Sequence, residues 1–166
     1  VIDRLISKAI ELGSKNAVVI STDTIVTSRW VHLKCQYGCT EYGNRLTCPP
    51  HSPSYEEMKK ILKEYNHGLL IHADKSWLVR YIVYELEKEA FRYGYYKAFG
   101  MGAGPCRLCE SCDVEKEDCA RPDEARPSME ACGINVYQTV RNNGFDIKTL
   151  ETDSETLNIF GLVLLE

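Results

Sequence analysis

Cys106, Cys109, Cys112 and Cys119 fall within fourteen residues of this chain. Two Cys-x-x-Cys steps share Cys109 as their middle residue, so three thiols can converge on one point from one tight loop. Iron–sulfur clusters need thiolates at the corners of a compact cage, and tandem steps of this kind supply three of them. In a bacterial ferredoxin run the fourth cysteine follows after about three residues and precedes proline. Here six residues separate Cys112 from Cys119, and Ala120 follows. Cys119 therefore either closes the same cage or leaves the fourth position to another group. Structural zinc sites use similar thiols, but more often as two well-separated Cys-x-x-Cys knuckles. The spacing favours an iron–sulfur centre, with zinc as the alternative.

A second set lies upstream, at Cys35, Cys39 and Cys48. Pro49 and Pro50 remove two N–H groups just after it and stiffen the exit. Three thiolates are an incomplete set for a cubane. Cys132 can supply the fourth, which divides the eight cysteines into two sites of four. Otherwise one metal position stays open for substrate, sulfide or another metal. Cys132 is expected near the start of a helix, where a thiolate is favoured, although a lone helical cysteine also makes a small core residue.

Both sets must be positioned by the elements around them. Apolar residues at helical spacing predict a helix over 2–12, stopped by Gly13. Residues 17–20 read as a strand and 24–33 as a second one. A loop over 34–53 carries the first cysteine set. Ser54, with Glu57 three residues on, has the form of an N-cap and its capping-box partner, opening a helix to about Asn66. A strand over 69–73, a long helix over 76–93 and a strand over 95–99 follow. The second cysteine loop then runs to Arg126. Pro127 suits the first turn of a helix reaching Asn142, and strands are expected over 147–150 and 157–164. This alternation implies an α/β fold, a layered sheet with helices packed on it and two cysteine-rich metal-binding loops. If the intervening strands are parallel, both loops open at one sheet edge, where such proteins place ligands.

Other residues frame the loops. Gly100, Gly102 and Gly104 miss the phosphate-binding fingerprint. They read instead as pliable backbone whose N–H groups can point at cluster sulfurs, or as a plain turn. Arg45, Arg107, Arg121 and Arg126 flank the thiols, and positive charge there would raise a reduction potential. The acidic run from Glu110 to Asp118 faces water and offers a docking patch to a basic redox partner protein. His32, His67 and His72 show no ligand pairing, and His51 alone lies near a cysteine set. No nucleophile–base constellation is present.

A length of 166 residues fits a single metal-binding domain over 1–166. The net charge of −4 offers no general attraction to nucleic acid or to an anionic membrane. No stretch approaches the roughly 20 apolar residues of a membrane helix. Charges at Asp3, Arg4, Lys8 and Glu11 interrupt any signal-peptide core. The expectation is a cytoplasmic protein, whose reducing surroundings turn eight cysteines from disulfide staples into metal ligands.

Two segments carry a family likeness. One is Cys35-Gln-Tyr-Gly-Cys-Thr-Glu-Tyr-Gly-Asn-Arg-Leu-Thr-Cys-Pro-Pro-His-Ser-Pro, and the other is Glu124-Ala-Arg-Pro-Ser-Met-Glu-Ala-Cys-Gly-Ile-Asn-Val. Together they resemble a cysteine-rich family described as predicted metal-binding proteins of anaerobic bacteria and archaea. The resemblance spans roughly Lys34 to Asp146 and implies cysteine-bound metal at the eight matching positions. It implies no particular reaction. The function expected from the residues is that of an iron–sulfur protein with one or two [4Fe-4S] clusters, in electron transfer or cluster-linked sulfur or metal chemistry. The alternatives are an enzyme whose cluster keeps one open coordination site and a zinc-stapled binding module.

Overall fold

The long central strand explains the architecture. Its run His67–Ala73 is apolar almost throughout, so both of its faces must be covered. Side chains alternate along a strand. Leu69, Ile71 and Ala73 enter one hydrophobic cluster, and Leu70 enters another on the opposite face. The computed structural model, which describes residues 1–153 and 155–166, shows the resulting three layers.

In chain order the elements are α1 (Ile2–Glu11), β1 (Asn16–Ser21), α2 (Trp30–Gly38), α3 (Tyr55–Leu62), β2 (His67–Ala73), α4 (Ser76–Arg92), β3 (Phe99–Met101), α5 (Val136–Asn142) and β4 (Ile159–Leu164). Short 3-10 turns lie at Thr22–Thr24 and Glu130–Cys132. The sheet order is β1-β2-β4-β3, with every neighbouring pair antiparallel. Helices α1 and α4 cover one face. Leu5, Ala9, Val79, Ile82, Val83 and Leu86 pack there on Leu69, Ile71 and Val163. The other face is covered by α3, α5 and the segment around Met129–Ile134, against Leu70, Phe160, Leu162 and Leu164. Helix α4 comes unusually close to the sheet. A Cβ on Gly161 would lie 2.6 Å from Val79 Cγ1, and one on Gly100 would lie 2.5 Å from Val83 Cγ1. No helix among the described residues is long and apolar enough to cross a membrane.

The mixed α/β reading and the helices α1, α3 and α4 match the expectations above. Ser54 caps α3 by accepting the Glu57 N–H at 3.1 Å. Several local expectations need correction. The antiparallel sheet removes the argument that the loops share the carboxyl edge of parallel strands. The strand expected over 24–33 is an extended stretch that pairs only at Thr27 with Ile134, followed by α2. Trp30-Val31-His32-Leu33 alternates in polarity, yet Trp30 and Leu33 both face outward from a helix. The single helix expected from Pro127 is broken at Gly133, whose φ is +75°. A Cβ there would also strike Tyr55 Cβ at 2.6 Å, so the chain turns at a residue that has none. Asn135 then starts α5 afresh by accepting the Gln138 N–H at 3.1 Å. The 95–99 strand shrinks to β3, because residues 93–98 form the turn that closes α4. Residues 147–150 form no strand.

Candidate metal centres

The second cysteine loop is pinched at its base. Gly102 N–H donates to Pro127 O at 3.0 Å, and Met129 N–H returns to Gly102 O at 3.2 Å. Gly100 N–H is taken by Glu87 Oε2 at 2.7 Å. These two glycines therefore hold the loop's stem, and their N–H groups are not free to meet cluster sulfurs. Arg126, expected beside the thiols, instead forks onto Glu87 through bonds of 2.6 and 2.7 Å. It fixes the loop's exit to α4.

Between those ends the chain folds back through an Asp113–Asp118 bridge. All four cysteines are half-buried with free thiols, and all four line one cavity of about 670 Å³. A buried cation forms part of its wall. Arg45, only 6% exposed, comes from the first cysteine loop. It donates to Glu41 Oε2 at 2.9 Å, to Cys109 O at 2.8 Å and to Glu110 O at 2.9 Å. Its pKa is raised, first by the Glu41 hydrogen bond and also by Cys112 beside it. Arg107 holds the other oxygen of Glu41 at 2.9 Å. That shared grip by two guanidinium groups lowers the Glu41 pKa. Arg80 lies near Cys106 and Arg121 near Cys109. Four thiols around one cavity, with Arg45 buried in its wall and Arg121 beside Cys109, fit an anionic thiolate-bound metal group, because those arginines offset part of its charge. Among the described residues, no three Cys, His, Asp or Glu side chains are already drawn into a cage.

The first set is built differently. Cys35 lies in the last turn of α2, and Cys39 caps that helix with its N–H on Cys35 O at 3.2 Å. Cys48 is buried in the following loop, and its carbonyl accepts the N–H groups of His51 and Ser52 at 2.9 and 3.1 Å. Burial pushes the Cys48 thiol up to about 11, with Cys39 and Cys35 adding to the shift. Cys35 is also raised, by burial, then Cys39, then Glu130. The three thiols thus sense one another, and Cys35 and Cys39 line an apolar cavity of about 510 Å³.

Cys132 lines a different cavity from Cys35 and Cys39, together with Thr47 and Ser52 from either side of Cys48. It is 1% exposed in the apolar layer with Met58, Leu62 and Leu70. Burial pushes its thiol to about 12, and its charged neighbours are Glu130 and Glu57. His51 and Cys119 line a cavity together with Cys132. His32 sits on α2 rather than on a strand, with Nε2 2.9 Å from Ala131 O. His72 stacks on Phe160 at 4.7 Å, as an ordinary sheet residue would.

Glu41, Arg80 and Glu130 were not singled out from the sequence. Glu41 precedes Arg45 by four residues, and an acid–base pair at that spacing is the one local sign of a contact. Glu130 is distinguished only by its surroundings. Its Oε2 is fully buried without a hydrogen-bond partner, and its carboxyl pKa is raised by burial.

No curated protein and no solved structure matches the chain. The profile of the family described as "Predicted metal-binding protein (DUF2284)" matches residues 18–165. That span holds both cysteine loops and all three strands of the sheet's interior and far edge, so the chain belongs to this family of predicted metal-binding proteins.

Proposed function

We propose that this is an iron–sulfur protein whose principal centre is a [4Fe-4S] cluster held by Cys106, Cys109, Cys112 and Cys119. The observation that carries the reading is the grouping of these four thiols around one cavity, with Arg45 buried against Cys112. A bound cluster supplies one-electron redox chemistry. The chain's own residues hold it, screen its charge with arginine and present the exposed acidic run from Glu110 to Asp118 to a basic redox partner. Cys35, Cys39 and Cys48 form a second centre, with its fourth position not taken by a thiol. The apolar cavity beside Cys35 and Cys39 favours a second reading, an enzyme in which that position meets a substrate.

Iron, sulfide and zinc assays on anaerobically purified protein, with visible and paramagnetic-resonance spectra, test the proposal. The expected result is a brown protein with iron and acid-labile sulfide in equal amounts. A colourless protein with stoichiometric zinc would replace it by the zinc-stapled module.

A further inference from the structure

Cys35, Cys39 and Cys48 are three donors whose fourth partner is not among the nearby thiols. The segment Met129–Gly133 runs past them, and the carbonyl of Ala131 ties it down from two sides. His32 Nε2 lies 2.9 Å from that oxygen, and Ser52 Oγ donates to it. His32 is one helical turn before Cys35, and Ser52 is four residues after Cys48. The same carbonyl therefore joins the two stretches of chain that bear the trio. Ala131 N–H is anchored in turn on Ser128 Oγ at 3.0 Å. With Ala131 fixed, its two neighbours face opposite ways. Cys132 enters the apolar layer against the sheet. Glu130 lines the same cavity as Cys35 and Cys39, and Cys35 senses its charge.

A carboxylate with a buried, unpartnered oxygen is costly unless something occupies the vacant lone pairs. A metal ion does so, and a buried charge that is not paired or neutralised coordinates a metal. We infer that Glu130 is the fourth protein ligand of the metal centre formed by Cys35, Cys39 and Cys48, giving a three-thiolate, one-carboxylate site. Cys132 is a core residue. The inference rests on the trio binding metal, as proposed above. A single oxygen among three sulfurs makes one metal position harder and more exchangeable than the rest. That position faces the apolar cavity of about 510 Å³, so a small, largely apolar molecule with one donor atom is the class of ligand that can displace the carboxylate.

The test compares Glu130→Gln, Cys132→Val and Cys35→Ser in the full chain, purified without oxygen. Metal content and the Mössbauer or paramagnetic-resonance spectrum are read, and the signal of the 106–119 centre reports folding in each variant. Glu130→Gln keeps the shape and removes the anionic oxygen. It should lose the first-loop metal, about half the total if the two centres are alike, as Cys35→Ser does. Glu130→Asp should keep that metal with an altered spectrum. Cys132→Val should keep both centres. If Cys35→Ser loses metal while Glu130→Gln retains it with an unchanged spectrum, or if Cys132→Val loses it, the Glu130 assignment is overturned and the trio stands. If Cys35→Ser holds as much metal as the native chain, the trio is no metal centre and both readings fall.

Discussion

The two cysteine sets solve the same problem in opposite ways. Residues 106–119 bring four thiols together by sequence proximity, in a loop pinched at its base and walled by Arg45. The first set draws on a helix end, a helix cap and a buried loop, and needs a distant segment to complete its surroundings. Arg45 and Arg121 line one cavity together with Asp113, Glu115 and Asp118, and Glu130 lines the other, a mostly apolar one, together with Lys34 and Lys148. Cations beside an anionic centre favour its reduced form, and a carboxylate favours the oxidised one.

The largest expected effect separates them outright. Cys109→Ser removes the thiol shared by both tandem steps and should abolish the 106–119 centre while sparing the first. Elemental analysis and spectra of the remaining cluster check this, and loss of both centres would mean that they assemble as one.

Gly133→Ala strikes the first set from a distance. Its φ of +75° and the 2.6 Å approach to Tyr55 make a side chain there strained twice over. A destabilisation of about 2–3 kcal/mol is expected, read by thermal unfolding. Metal loss should be confined to the trio, because the turn that aims Glu130 is displaced.

The smallest contrast lies between two arginines. Arg45→Met leaves the carbonyls of Cys109 and Glu110 without their donors. It should cost about 2 kcal/mol and lower the potential of the 106–119 centre. Arg121→Ala removes the same charge from an exposed position. It should leave stability nearly unchanged, because exposed ion pairs contribute little, and shift the potential less, by voltammetry on both variants. Equal shifts would show that burial of the cation contributes nothing.

How legible these features are in the sequence depends on whether their cause is local. Helix α4 is readable because Val79, Ile82, Val83, Leu86 and Ala90 recur at helical spacing. The Ser54 cap is readable because its partner is three residues away. Helix α2 is not, since its buried face is reduced to Val31 and its polarity alternates like a strand's. The sheet's antiparallel register is hidden for a related reason: β2 is buried on both faces and carries no alternation to betray its neighbours. The tandem cysteines are a local pattern and stand out at once. Glu130 is one of 24 acidic residues, and nothing but the tertiary fold singles it out.

Arg45 lies three residues before Cys48, yet its guanidinium ends on the main chain of Cys109. Any rearrangement of residues 39–48 that moves this side chain withdraws two donors from the opposite loop at once. The two loops are thus joined by Arg45 and again by the Arg107–Glu41 bond. Each loop therefore helps to hold the main chain of the other in place.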